Sequence, residues 1–255
     1  MRRVWAAAIA GAAVLAMAAA PQGGRPKAVK IKQTTANFEF SYEYPAAVAA
    51  QPALARALNA DLARQRRELA DGARAARADA KASAYPFMAY GFSATWQVVT
   101  ELPGWLSLSE NFWSFSGGAH GNPGFDSLLW DKAQQKRRAM LDLFASKAAL
   151  STAIRAPFCA ALNAQRAEKR GSPVDPTSTS EFDTCIDPVA EVLILGSSDH
   201  RHFDRLGILI APYEAGPYAE GEYEVSLPVT PAVIAAVQPQ YRALFGIGKS
   251  AKAAR

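Results

Sequence analysis

Phe38-Glu39-Phe40-Ser41-Tyr42-Glu43-Tyr44 alternates strictly, with aromatic rings on one side and polar groups on the other. A period of two over seven residues is the pattern of a half-buried strand, and Pro45 ends it. Immediately downstream the period changes. Pro52 suits the first turn of a helix, and Leu54, Leu58, Leu62, Leu69, Ala73, Ala76 and Ala80 fall on one stripe at 100° per residue. A core-facing strand followed by a long amphipathic helix sets the expectation of an α+β fold. The opposite helix face carries Arg56, Arg64, Arg66, Arg67, Arg74 and Arg77 interspersed with Asp61, Glu68, Asp71 and Asp79, which reads as a solvated surface. Gly72 costs this helix about 1 kcal/mol and marks a candidate bend.

Outward from this pair, residues 91–131 read as an antiparallel meander. Phe92, Ala94, Trp96 and Val98 alternate with polar neighbours, Pro103-Gly104 turns the chain, and a second run spans Trp105 to Phe115. Its alternation slips around Glu110, which predicts a β-bulge there. Gly117–Gly124 reverses the chain into a third strand, Phe125–Trp130. Helix character returns at Leu141-Asp142-Leu143-Phe144 and continues through about Arg170, and Gly171–Asp183 is a loop. Val192–Leu195, Leu206–Ile210 and Glu222–Leu227 are strands, and Pro231 opens a helix running through about Phe245. Strands and helices grouped in this way predict a mainly antiparallel sheet with helices packed on it, in a single domain spanning residues 31–246.

The N-terminus reads as an export signal. Arg2 and Arg3 precede an uncharged stretch from Val4 to Ala20, and Ala16-Met17-Ala18 has the form of a cleavage site. Residues 1–18 are thus read as a signal peptide, 19–30 as a flexible lead-in and 247–255 as a disordered tail. The rival reading is an uncleaved anchor, for which the stretch is short and alanine-rich. The chain is expected to be periplasmic or secreted. Two cysteines in an exported chain favour a Cys159–Cys185 disulfide over zinc ligation, worth roughly 3.5 kcal/mol by chain entropy. The formal charge of +5 becomes +3 without Arg2 and Arg3, too mild for a nucleic-acid binder.

Three segments carry candidate chemistry. Ser116-Gly117-Gly118-Ala119-His120-Gly121 reads as a tight strand connection, with an envelope-polymer hydrolase using Ser116 and His120 as the alternative. The G-x-S-x-G elbow is absent, so no catalytic residue is assigned. Asp199-His200-Arg201-His202 resembles a ligand pair but reads as a polar turn, and no metal or cofactor is expected. Glu214, Glu220, Glu222 and Glu224 surround Tyr213, Tyr218 and Tyr223, which reads either as contact chemistry for a cationic protein or a sugar or equally as the solvent face of a strand.

Phe115-Ser116-Gly117-Gly118-Ala119-His120-Gly121, with Phe125-Asp126 and Leu141-Asp142-Leu143-Phe144, resembles one half of a known family. Ala211-Pro212-Tyr213-Glu214 with Gly216-Pro217-Tyr218-Ala219-Glu220-Gly221, ahead of Leu227-Pro228, resembles the other half. The family is the extracytoplasmic domain of RsiV-type anti-sigma factors, found also as the N-terminal domain of PdaC-type peptidoglycan deacetylases. The resemblance implies helices on a mainly antiparallel sheet and a receptor for lysozyme. The chain lacks the sigma-binding segment and the deacetylase domain of those relatives, so neither activity transfers. The expected partner is a lysozyme-like glycosidase or a peptidoglycan fragment, with Ser116, Gly117, Gly118, His120, Tyr213, Glu214, Tyr218 and Glu220 as candidate contacts.

Overall fold

The computed structural model describes residues 25–249, so the signal-peptide reading of residues 1–18 lies outside the described residues. The order of elements is β1 (Val29–Thr34), β2 (Phe38–Tyr44), α1 (Ala46–Ala49), α2 (Pro52–Ala82), β3 (Tyr90–Leu102), β4 (Trp105–Phe115), β5 (Asn122–Asp131), β6 (Lys136–Arg138), α3 (Lys147–Arg170), β7 (Val192–Gly196), β8 (Arg205–Ile210), β9 (Tyr223–Pro228) and α4 (Pro231–Ala236). The fold is α+β, as expected. β1 to β6 form one six-stranded sheet in chain order, and β7 to β9 form a second, three-stranded sheet. All pairings are antiparallel except β2 with β3. Parallel neighbours need a long crossover, and α2 supplies it.

The two periodicities behave as their physics requires. Phe38, Phe40, Tyr42 and Tyr44 are all buried, while Glu39 is exposed and Ser41 and Glu43 are half-buried. Leu54, Leu58 and Ala73 of α2 are buried against this sheet, each leucine contributing about 1.5–3 kcal/mol, and Ala80 is buried as well. A second core lies under α3. Leu150, Ile154, Phe158 and Leu162, four apart, press on the inner faces of β7 to β9. Ser146 Oγ caps α3 by accepting from Ala149 N at 3.0 Å, and Gly171 closes it at φ +71°. The disulfide is present: Cys159 on α3 is joined to Cys185 in the following loop.

Four boundaries differ from the sequence reading. The bulge is at Val98–Thr100, and Glu110 holds a regular register between Trp96 and Asp126. The alternation slips at Glu110 because a carboxyl occupies an inward position continuous with Leu106 and Leu108. The helix expected from Leu141 to Arg170 is a 3-10 turn at Met140–Leu143, an extended Phe144 bridged to Val237, and then α3. The helix expected from Pro231 to Phe245 stops at Ala236 and resumes as a 3-10 segment, Pro239–Leu244. Pro239 pushes Gln238 out of the helical region and offers no N–H. Residues 247–249 are held rather than loose, since Gly248 N donates to Val229 O at 2.8 Å.

Candidate functional site

The glycine-rich connection between β4 and β5 meets the loop between β8 and β9. The approach depends on glycine. A Cβ on Gly121 would lie 2.2 Å from the indole of Trp113, and one on Gly91 2.5 Å from the same ring. Trp113, partly exposed, therefore packs flat over two positions where only glycine leaves room for its ring. Gly117 and Gly118, at φ +95° and +97°, make the reversal itself.

This geometry carries His120 and Tyr218 together. Their rings stack with centroids 3.9 Å apart. Tyr213, whose φ of +75° turns it outward, adds a third ring 5.5 Å from Tyr218. Tyr218 Oη donates to Gly121 O at 2.9 Å, and His120 Nδ1 lies 3.0 Å from the same carbonyl. Tyr213 is 53 % exposed, and His120 and Glu214 are also exposed. The result is a three-ring aromatic platform assembled from two sheets.

Two cavities lie between the sheets. One, of about 340 Å³, is lined by Phe112, Pro123, Phe125, Glu191 and Glu214. The other, of about 450 Å³, is lined by Gln97, Asn111, Phe125, Glu222 and Glu224. Burial, followed by the charges of Glu214 and Asp187, pushes Glu191 up to about 7. Both cavities carry glutamates in their walls, Glu191 and Glu214 in one and Glu222 and Glu224 in the other, and Glu214 adjoins Tyr213 of the aromatic platform in the chain.

Other expected contacts fall elsewhere. Glu220 faces inward, its carboxylate taken by Arg170 Nε at 2.9 Å and Nη2 at 3.1 Å and by the Tyr223 hydroxyl. Burial and this carboxylate push Tyr223 up to about 12. Glu220 is a brace between α3 and β9. Ser116 is exposed, and no hydrogen bond joins it to His120 among the described residues. His120 also has no carboxylate partner there, so the Ser–His pairing needed for hydrolysis is not assembled. Asp199 accepts from Arg201 N, His202 N and His202 Nδ1, so 199–202 is a self-satisfied turn.

Three residues of consequence escape a sequence reading. Arg166 is fully buried and donates to Ala215 O, Asn163 Oδ1, Asp183 O and Thr184 O. Its signal was present: it extends the four-residue spacing of Leu150, Ile154, Phe158 and Leu162. Trp113 and Glu191 carried none, because their roles depend on chain segments distant in sequence.

Among known proteins, residues 31–123 match the family model described as deacetylase PdaC. The likeness to the PdaC-type N-terminal domain is thus borne out over that stretch. No curated protein matches. Among the solved structures that share the fold are two from the same family. A DUF3298 family protein from Pseudomonas aeruginosa PAO1 has TM-score 0.50 and 18% identity, covering 87% of this chain and 97% of its own. A DUF3298 family member from Bacteroides fragilis NCTC 9343 has TM-score 0.51 and 15% identity, covering 79% and 89%.

Proposed function

We propose that this chain, PdaC-like over residues 31–123, is an exported, non-catalytic binding protein of the cell envelope that recognises a lysozyme-like glycosidase. The carrying observation is the platform of His120, Tyr218 and Tyr213, with the exposed carboxylate of Glu214 next to Tyr213 in the chain and in the wall of a cavity between the sheets. Aromatic rings supply rigid contact area at small entropic cost, and Glu214, Glu222 and Glu224 suit a basic partner locally even though the chain as a whole is mildly basic. The lysozyme receptors that the sequence resembles support the same partner class. A disulfide fits an oxidising compartment, periplasmic or extracellular.

The test is calorimetry of residues 19–255 with a basic lysozyme, and separately with soluble muropeptides. Binding to lysozyme is expected, weakened on the order of tenfold or more in Tyr213→Ala and in Tyr218→Ala. Heat with muropeptides alone moves the assignment to a peptidoglycan ligand. Silence with both, from a folded protein, overturns the proposal.

A further inference from the structure

The second sheet packs on β3, β4 and β5 and leaves the same face of the six-stranded sheet bare over β1, β2 and the start of β3, where Lys30, Lys32 and Glu39 are exposed. Register sets what stands there. Lys32 pairs with Ser41, Ser41 with Ser93 and Ser93 with Trp113, so these side chains form one row across β1 to β4. Glu39 pairs with Gly91 in the adjacent row, which continues to Phe115. Phe38, Phe40, Tyr42 and Tyr44 point the other way, into the core under α2.

A solvated face of a mainly antiparallel sheet is ordinarily polar, and Trp113 breaks that rule. Its indole is 39 % exposed. One side of the ring rests on the backbone at Gly91 and Gly121, and the Phe115 ring runs parallel to it, 10° apart in plane with centroids 6.1 Å apart. The indole is therefore laid flat with its other side open. Against it lies a shallow cavity of about 220 Å³ whose walls include Lys32, Glu39, Ser41, Gly91 and Ser93. Lys30, one pleat away, is committed to Glu43 at 2.8 Å. The side chains of Lys32, Glu39, Ser41 and Ser93 make no hydrogen bond or ion pair among the described residues, so a donor, an acceptor and two hydroxyls surround the ring uncommitted.

That combination selects among ligands. The core of a protein interface is depleted in charged side chains, whereas a lysine and a glutamate flank this indole. An anion would gain Lys32 and meet Glu39, and a cation would meet the reverse. A pyranose presents an apolar C–H face, which the electron-rich face of the indole attracts, and a rim of hydroxyls that both donate and accept. The volume equals about seven waters at ~30 Å³ each, the scale of one such ring. We propose that Trp113 is the stacking platform of a binding site for one neutral sugar ring, with Glu39 and Lys32 as its charged hydrogen-bonding partners and Ser41 and Ser93 at its rim. No ring of the His120–Tyr218–Tyr213 platform belongs to it, so this site and the lysozyme reading stand or fall separately.

The test is a titration of residues 19–255 with N-acetylglucosamine and with glucose, followed by the indole N–H resonance of Trp113, which Trp113→Phe identifies by its disappearance. A saturable shift of that resonance with a sugar is expected. Affinity, read by calorimetry, should fall about tenfold in Trp113→Ala, which removes the stack, and about tenfold in Glu39→Ala, which removes one charge-assisted hydrogen bond. Glu39 is exposed, so its variant reads the site without disturbing the ring. Tyr213→Ala, at the other platform, should leave the sugar titration unchanged. No saturable shift with either sugar overturns the proposal in the wild-type protein alone. Full sugar affinity in folded Trp113→Ala or in Glu39→Ala overturns it equally, as does sugar binding that Tyr213→Ala abolishes.

Discussion

The imidazole of His120 and the phenol of Tyr218 lie nearly parallel, 21° apart in plane, so the glycine loop of one sheet is docked on the acidic loop of the other. The Tyr218 hydroxyl fixes that docking through Gly121 O. Tyr218→Phe keeps the stack and removes one hydrogen bond, with an expected loss of about 1 kcal/mol in denaturant unfolding. Tyr218→Ala also frees His120, whose ring resonances should move toward their solvent values. Unmoved His120 resonances in Tyr218→Ala would argue against the stack.

Arg166 holds together α3, the 183–184 turn and Ala215. Arg166→Met matches its length but abandons three backbone carbonyls. Leaving buried acceptors without a donor costs about 1–3 kcal/mol each, and thermal melting should show the largest fall of any single α3 substitution.

Glu110 makes stability depend on pH. Its folded-state value is raised to about 8 from an ordinary 4.5, so between those values the folded protein keeps a proton that the unfolded chain releases. Stability from this group is complete below about 4.5 and declines as pH rises toward 8. Glu110→Gln should flatten that decline and gain on the order of a few kcal/mol at pH 8. Chemical denaturation at pH 5 and pH 8 measures both, and parallel curves for wild type and variant would refute the burial.

Two glycines should respond in opposite ways. A Cβ on Gly72 meets Tyr90 at an ordinary 3.7 Å, so Gly72→Ala should stabilise α2 by up to about 1 kcal/mol. Gly121→Ala collides with Trp113 and should lower the melting temperature while displacing the aromatic platform.

Reduction of Cys159–Cys185 frees a loop of 26 residues' separation. Melting with and without reductant should differ by roughly 3.5 kcal/mol of stability, and Arg170 contacts to Phe182 and Asp183 should loosen with it.

Much of this architecture could be read from local pattern because β2, α2 and the β3–β5 meander bury one face each, and burial imprints a period. β6 could not, since Lys136-Arg137-Arg138 has no apolar residue to show a period and owes its strand form to pairing with β5. The parallel partnership of β2 and β3 was equally invisible, because partner choice depends on where α2 lays the chain. The site was half legible. Glycine clustering and the tyrosine–glutamate run flagged the two loops, but their meeting at His120 and Tyr218 is a long-range event. Glu110 was misread as an irregularity, since a carboxyl on a core face breaks the apolar pattern without bending the backbone.

β3, β4 and β5 are long enough to serve two cores. Trp96, Leu106, Leu108, Leu128 and Trp130 belong to the core under α2, while Leu102, Trp105 and Leu129 belong to the core under α3. Neither half can melt without stripping cover from strands that the other half needs. Heat should therefore be absorbed in a single cooperative transition, with calorimetric and van't Hoff enthalpies in agreement. The PdaC-like stretch, ending at residue 123 inside β5, is then a recognisable portion of a folding unit rather than a module that can be excised, and a fragment cut there would expose two unfinished cores.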